Sequence, residues 1–217
     1  MTRALPAIVV LVSGEGTNLQ ALIDAVAAGT IQGRITGVLS DRSSARGLAR
    51  ARDAKVRAEH VRIGPTRQSG YDDALRDALR LLKPDLVVLA GYMRLLSPAL
   101  VTELTGHMIN LHPSLLPRHR GLDTHRRVLE AGDTHHGATV HFVSSELDAG
   151  PAIIQYRLTV STGDTETSLS ARVHRGEYII LPRAVEWFCD GRLRLEGDAV
   201  ILDGTVLRAP IVIDEEP

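Results

Sequence analysis

Short apolar runs alternate with amphipathic segments through the first half of the chain, and this alternation limits the fold more than any other feature. The apolar runs lack the every-other-residue polarity of a half-exposed strand, which is typical of parallel strands covered by helices on both faces. The sequence therefore predicts an α/β fold with a Rossmann-like, mostly parallel sheet. Strands are predicted at 8–12, 35–39, 57–61 and 86–90, and helices at 19–28, 45–54, 71–82 and 98–104.

The second half predicts a different connection between strands. Strands are expected at 139–143 and 152–160, and the short loop between them favours an antiparallel pair, so the sheet should be mixed. A helix over 164–180 should break or kink at Pro182 before it continues. The tail over 193–205 predicts a small C-terminal β-hairpin, and 214–216 a solvated, frayed end. We expect one domain over 1–217, divided into 1–105, 106–188 and 189–217.

Composition excludes several classes of protein. The chain has 217 residues, of which 44% are hydrophobic and 24% charged, and its formal net charge is -1. It therefore has no bulk electrostatic attraction to nucleic acid or to a membrane surface. Cys189 is the single cysteine, which excludes an internal disulfide and fits a reducing cytoplasm. The apolar stretch 4–12 is too short for a transmembrane helix and lacks a signal-peptide cleavage pattern.

A polar pair stands at the end of a predicted strand in the run Asn110-Leu-His-Pro-Ser-Leu-Leu-Pro117. Alternation along the strand sends Asn110 and His112 to one face, and Pro113 must end the strand at the imidazole. An amide donor beside an imidazole suits a developing oxyanion, and the imidazole can also move a proton. The alternative is a polar strand end with a surface histidine.

A glycine-rich loop, Ser13-Gly-Glu-Gly-Thr-Asn18, joins the first strand to the first helix. Free backbone N–H groups and the helix dipole make such a junction an anion site, and a phosphate is the expected guest. The alternative is a tight turn with Ser13 and Thr17 or Asn18 as helix caps. Binding of NAD, with Asp41 on the ribose, is disfavoured because Leu19 replaces the third glycine of the dinucleotide fingerprint.

A second motif, Asp148-Ala-Gly-Pro151, follows the 138–143 segment. Together with Asn110–Pro117 it resembles the formyltransferases that use 10-formyltetrahydrofolate, and the resemblance runs from about Ile8 to Phe188. The resemblance implies a catalytic trio of Asn110, His112 and Asp148. It is strongest to the members that formylate the amine of glycinamide ribonucleotide (GAR) in de novo purine synthesis.

The same resemblance implies two sets of ligand contacts. The GAR contacts would be Gly14, Glu15, Gly16, Thr17, Asn18, Arg67 and Glu177. The folate contacts would be Met93, Arg94, Leu95, Leu96, Asn110, Ser144, Ser145, Glu146, Leu147 and Asp148. Met93, Leu95 and Leu96 could instead be core residues, and Glu177 a solvated residue on a helix surface.

The chain departs from the family in the stretch 118–123, which puts the ligand contacts of that loop in question. His135 and His136 have no acidic or cysteine partner at the spacing of a metal site, so no metal is expected. His141 is expected to be either a satisfied buried histidine or one that supports the residues of the site. Small molecules are the expected partners, without nucleic acid or membrane, and a homodimer stays open. The alternatives are formylation of another amine, formyltetrahydrofolate hydrolysis, and a non-catalytic nucleotide-binding module.

Overall fold

The computed structural model describes residues 4–62 and 67–216, without the side chains of 67–69. The strands are β1 (Ala7–Val12), β2 (Arg34–Ser40), β3 (Ala58–His60), β4 (Leu86–Leu89), β5 (Met108–His112), β6 (His135–Phe142), β7 (Ala152–Thr159), β8 (Leu193–Glu196), β9 (Ala199–Leu202), β10 (Thr205–Val206) and β11 (Ile211–Asp214). The helices are α1 (Thr17–Ala27), α2 (Arg46–Asp53), α3 (Arg67–Leu82), α4 (Pro98–Glu103), α5 (Thr124–Ala131) and α6 (Glu166–Cys189).

One eight-stranded sheet, in the order β11-β7-β6-β5-β4-β1-β2-β3, organises the molecule. Neighbouring strands pair in parallel along the sheet from β3 through β2, β1 and β4 to β5. In contrast, β6 is antiparallel to both β5 and β7. The predicted mixed, mostly parallel sheet flanked by helices is therefore confirmed. Because β1, β2, β4 and β5 run the same way, the loops that follow them open at one edge of the sheet, where such folds bind ligands.

The central strands are buried on both faces, as their unbroken apolar sequences predict. Along β1, Val10 packs in a cluster with Leu19 and Leu22 of α1, while its neighbour Val9 packs on the other face with Tyr71 of α3. Successive residues of the strand thus belong to different clusters, because successive side chains point to opposite faces of the sheet. The two helical layers fix where the strand ends lie.

Two predictions for the second half are wrong. The predicted break of α6 is wrong, since the helix continues through Pro182 with Ile180, Leu181, Ala184 and Val185 buried on both sides of the proline. The predicted fraying at 214–216 is also wrong for Asp214 and Glu215, which pair with Arg157 and Arg172. β11 adds to β7 in parallel, and the Asp214 carboxylate accepts two hydrogen bonds from Arg157, at 2.6 and 3.0 Å.

The second half also contains two elements, β10 and α5, that the sequence did not predict. The C-terminal hairpin is present as β8 and β9, and β10 extends it into a three-stranded antiparallel sheet. Helix α5 was not predicted, although Asp123 before it and Gly132 after it are residue types common at helix ends. In the structure Asp123 is left-handed and its side chain does not cap the helix.

Gly176 lets α6 lie directly on β7. A Cβ at this position would lie 1.9 Å from Cδ1 of Tyr156, so no larger residue fits without moving the helix or the ring. The close approach matters for the site, since the next residue along α6 is Glu177.

We therefore expect Gly176→Ala to lower the free energy of unfolding by about 1–3 kcal/mol, the usual cost of overpacking a core. Gly70→Ala in α3 is the matched control, because its Cβ would meet nothing within 4 Å and alanine favours a helix. Urea unfolding of both variants gives the comparison. A Gly176→Ala protein as stable as Gly70→Ala would contradict the close contact between α6 and β7.

Candidate active site

The polar pair of β5 lies at the end of the strand, as predicted. In the register of β5 with β6, Asn110 pairs with His141 and His112 with Thr139. β5 ends at His112, directly before Pro113, and the imidazole is only 6% exposed. The alternative of a surface histidine is therefore wrong.

Asp148 joins this pair from the loop between β6 and β7. Its carboxylate accepts a hydrogen bond from the backbone N–H of Gly121 at 2.9 Å and one from Asn110 Nδ2 at 3.4 Å. His112 Nδ1 lies 3.4 Å from Asp148 Oδ2, and both side chains are less than a tenth exposed. Asp148 has a φ of 48°, a conformation that Asp tolerates better than most residues. The structure thus brings the three predicted residues together.

Both ring nitrogens of His112 face acceptors. Nε2 lies 3.0 Å from the backbone oxygen of His119, and because a carbonyl oxygen can only accept, Nε2 must carry a hydrogen. Nδ1 faces the Asp148 carboxylate. His112 therefore lies between a backbone oxygen and a carboxylate, one at each ring nitrogen.

His141 orients the amide of Asn110. Burial lowers the pKa of His141 to about 4, so the ring is neutral at pH 7. Its Nδ1 donates to the backbone oxygen of Phe142 at 2.8 Å, which leaves Nε2 as an acceptor for Asn110 Nδ2 at 3.1 Å. The expected satisfied, buried histidine is confirmed, but sequence reasoning missed its contact with Asn110.

The 118–123 loop, where the sequence departs from the family, touches the trio through its main chain. The two contacts are the His119 oxygen and the Gly121 N–H, neither of which depends on side-chain identity. The side chains of the loop point elsewhere: His119 Nε2 lies 2.6 Å from Asp133, and Arg120 lies 2.5 Å from Glu146. Substitution of the exposed side chains of Arg118 and Leu122 therefore leaves the contact atoms unchanged, whereas Gly121 has a φ of 80°, which favours glycine.

The glycine-rich loop presents open backbone at the start of α1. Gly16 is the N-cap in a left-handed conformation with a φ of 70°, and no side chain caps the helix, so the predicted caps are wrong. The first amides of α1 therefore lack the capping partner that a helix start commonly has. A Cβ at Gly14 would meet nothing within 4 Å, whereas one at Gly16 would lie 2.6 Å from Gly47 Cα. Gly14 faces open space and Gly16 packs against α2.

Glu15 and Asn18 of this loop have protein partners. The Glu15 carboxylate lies 3.0 Å from Arg46, and its backbone oxygen accepts from Arg50 at 2.8 Å. Asn18 Nδ2 donates to Glu177 Oε2 at 2.8 Å, while the buried Asn18 Oδ1 has no hydrogen-bond partner among the described residues. The loop is thus tied to α2 on one side and to α6 on the other.

Glu177 is 4% exposed, so the alternative of a solvated surface residue is wrong. Burial raises the pKa of its carboxyl, and the Asn18 hydrogen bond and the charges of His174 and His112 oppose that rise. The charge of His112 affects the pKa of Glu177, and Glu177 is bonded to Asn18. The glycine-rich loop, Glu177 and the trio are therefore close to one another.

The predicted folate loop exposes apolar side chains. Met93 is 58% and Leu95 64% exposed, so these two are not core residues, while Leu96 packs against the core. The guanidinium of Arg94 lies 4.2 Å above the ring of Tyr71. This loop follows β4, the strand next to β5.

The predicted residues before Asp148 form a short turn. Ser144 Oγ donates to the backbone oxygen of Glu146 at 3.0 Å; Ser145 and Leu147 are exposed, Leu147 at 51%. Arg67 begins α3, but its side chain lies outside the described residues.

His136 lies within hydrogen-bond distance of His125. His125 Nδ1 and His136 Nε2 are 2.9 Å apart, and burial lowers the pKa of His136 to about 3 and that of His125 to about 4. Over 4–62 and 67–216, no cluster of three or more His, Cys, Asp or Glu side chains could hold a metal ion. No helix in the described part of the chain has the length and apolarity to cross a membrane.

Comparison with known proteins gives a consistent set of relatives. A family model described as formyl transferase matches residues 7–185. Phosphoribosylglycinamide formyltransferase of Escherichia coli (strain K12) is 48% identical over 199 residues, which cover 91% of this chain and 93% of that protein. The structure of phosphoribosylglycinamide formyltransferase from Coxiella burnetii has a TM-score of 0.90 and 43% identity, and covers 96% of this chain and 99% of its own.

A structure described as a formyltetrahydrofolate deformylase, from Pseudomonas putida KT2440, is a more distant neighbour. It is 27% identical with a TM-score of 0.83, and the match covers 93% of this chain and 71% of that one. The fold is therefore similar both to structures described as formyltransferases and to one described as a deformylase.

The buried Glu177 carboxylate gives a prediction for stability. Because its folded pKa is raised, the folded chain holds this proton more tightly than the unfolded chain, and stability falls as the pH rises above the usual glutamate range. Glu177→Gln should therefore gain stability relative to the wild type between pH 4 and pH 7, in the absence of ligand.

Thermal melts of both proteins across this range test the effect, and titrating groups that do not interact with Glu177 cancel in the difference. Glu166→Gln removes a charge from an exposed position of the same helix and is the control. A Glu177→Gln difference that does not change with pH, or that shrinks towards pH 7, would show that burial of Glu177 does not oppose its ionisation.

Proposed function

The chain belongs to the formyl transferase family, and we propose that it transfers the formyl group of 10-formyltetrahydrofolate to the amine of glycinamide ribonucleotide in purine synthesis. Relatives that align over nearly their whole length carry the name phosphoribosylglycinamide formyltransferase. The proposal rests on the contacts among Asn110, His112 and Asp148. The Asp148 carboxylate lies 3.4 Å from Asn110 Nδ2 and 3.4 Å from His112 Nδ1.

Formyl transfer requires an oxyanion to be stabilised. The GAR amine attacks the formyl carbon, the carbonyl oxygen becomes negative in a tetrahedral intermediate, and N10 of the folate leaves with a proton. Asn110 Nδ2 donates one hydrogen to His141 and the other to Asp148 across a longer contact of 3.4 Å. Because the contact with Asp148 is the longer one, its hydrogen is the one available to the oxyanion. His112 in its imidazolium form adds positive charge beside it.

A proton must also pass from the attacking amine to the leaving nitrogen. Asp148 is an acceptor in reach of the site, and its carboxylate can take the amine proton and return it to N10, directly or through water. No covalent intermediate with the protein is needed. His112 lies 3.4 Å from this carboxylate, so both groups can act on the same tetrahedral intermediate.

The GAR site follows from the open backbone at Gly14 and from the buried acid on α6. The phosphate would bind at residues 14–18, where backbone amides and the helix dipole favour an anion. The unpartnered Asn18 Oδ1 and the Glu177 carboxylate would face ribose hydroxyls, which can donate to both. Arg67 belongs to this proposal by its place in the family motif.

The folate site would lie between the loop after β4 and the turn before Asp148. Met93, Leu95 and Leu147 offer exposed apolar surface to a flat ring, and backbone groups of 93–96 and 144–148 would read its edge. The donor is a co-substrate, and the proposed reaction uses no metal. We place the reaction in the cytoplasm, without a nucleic-acid partner, and a homodimer is compatible with it.

The rival reaction is hydrolysis, in which water replaces the amine. The open glycine-rich loop favours the transferase, because water has no phosphate to bind there. The test offers 10-formyltetrahydrofolate with GAR, with an amino-sugar nucleotide and with water alone. We expect formylated GAR as the main product, and turnover with water alone at an undiminished rate would contradict the transferase.

Removing the Asp148 charge should affect chemistry before binding. Asp148→Asn keeps the shape of the side chain but loses the proton acceptor, so kcat should fall by about 10²–10⁴-fold while GAR affinity changes little. Steady-state kinetics and a separate measurement of GAR binding check this. A folded Asp148→Asn protein with near-normal kcat would remove Asp148 from the mechanism.

The phosphate assignment has its own test at Gly14. A side chain there meets no protein atom, so Gly14→Val should leave the melting temperature unchanged but block the backbone, and we expect at least about tenfold weaker GAR binding. Gly16→Val, which collides with Gly47, should instead lose stability. Calorimetric titration with GAR and with folate separates the sites, since equal loss for both ligands at Gly14→Val would contradict a phosphate at this loop.

A further inference from the structure

Ser13 is a buried polar residue that the proposed chemistry does not use. It directly follows β1, is 3% exposed, and does not cap α1. Its backbone N–H donates to the Gly91 oxygen at 3.1 Å. Its hydroxyl donates to Asp41 Oδ1 at 2.6 Å and accepts from the Met93 N–H at 2.9 Å. One side chain therefore joins the segments that follow three different strands.

These three segments belong to neighbouring strands. β1 lies between β2 and β4, so Asp41 after β2 and the 91–93 segment after β4 flank Ser13 on both sides. Gly14, at the start of the proposed phosphate loop, is the next residue after Ser13. Met93 begins the proposed folate loop, so a single hydroxyl connects the two substrate loops.

The direction of this hydrogen-bond chain is fixed. A backbone N–H can only donate, so the hydroxyl must accept from Met93 and send its own hydrogen to the Asp41 carboxylate. The bond holds the Met93 backbone while its side chain stays 58% exposed. A second anchor lies next to it, because the Tyr92 hydroxyl bonds to that of Tyr71. The start of the folate loop is thus held at Tyr92 by α3 and at Met93 by Ser13.

We propose that Ser13 is a positioning residue that couples the two substrate sites, so that binding of GAR at the phosphate loop strengthens binding of the folate. The inference rests on the proposed function. A phosphate that orders the Ser13–Asn18 segment also orders, through the Ser13 hydroxyl, the Met93 backbone, and the second ligand then meets a loop that is already fixed. By linkage, the folate must strengthen GAR binding by the same factor.

The test is the affinity of GAR measured by calorimetry, with and without a saturating folate analogue that has no formyl group to transfer. In the wild type we expect the analogue to tighten GAR binding by about 5-fold or more, within the usual range of coupled sites. In Ser13→Ala the ratio should fall towards one, while each ligand alone binds within about threefold of its wild-type affinity.

Ser40→Ala is the matched control. Ser40 is also a buried serine at a strand end, but its hydroxyl bonds only within the local turn, to the backbone of Arg42 at 3.0 Å. It should keep the wild-type ratio. Ser13→Thr, which retains the hydroxyl, should recover the coupling, and Ser13→Cys replaces Ser13→Ala if the alanine protein does not fold.

Two results would overturn the inference: a wild-type ratio of one, or an unchanged ratio in the Ser13 variant that lacks the hydroxyl. Failure of the proposed function has a different signature, since the wild-type protein would then not bind GAR or would not formylate it. A ratio that falls equally in Ser40→Ala would assign the effect to general loosening of the strand ends and would also reject Ser13 as the link.

Discussion

The Asp148 carboxylate gathers three separate parts of the chain, and the geometry of the site depends on it. It accepts hydrogen bonds from Asn110 of β5 and from the Gly121 backbone, and it faces the ring of His112. A nearly buried carboxylate is costly unless its oxygens have donors, so these contacts are mutually required. The loop that carries it is pressed onto β6, since a Cβ at Gly150 would lie 1.8 Å from the Phe142 oxygen. Loss of that carboxylate would leave the amide, the imidazole and the 118–123 loop without a common partner.

Contacts from His141 and His119 orient Asn110 and His112. His141 is neutral because it is buried, and as a fixed acceptor it turns the Asn110 amide so that nitrogen faces Asp148. The His119 oxygen and the Asp148 carboxylate face the two ring nitrogens of His112. The proposed formyl transfer uses these same groups, with the Asn110 amide as donor, His112 as the positive charge and Asp148 as the proton acceptor.

Local sequence predicted the features that depend on neighbours along the chain. Unbroken apolar runs gave the buried strands, and alternation placed Asn110 and His112 on one face. The position of Asp148 depends on tertiary structure instead. Ile109 pairs with Phe142, so the loop after β6 leaves from the level of the start of β5 and must turn back to reach His112. Backbone contacts from His119 and Gly121 carry no side-chain signal, and β11 is defined by its pairing with β7, which lies far away in sequence.

The central claim is that His112 and Asp148 act as one unit, and a double-mutant cycle on kcat tests it most directly. The measurement is the rate of GAR formylation in the wild type, His112→Ala, Asp148→Asn and the double variant. Residues that act as a unit show strongly non-additive effects, so the double variant should be about as slow as the slower single variant. If the two losses multiplied, His112 and Asp148 would act independently, and the account of the site given by their contact would be contradicted.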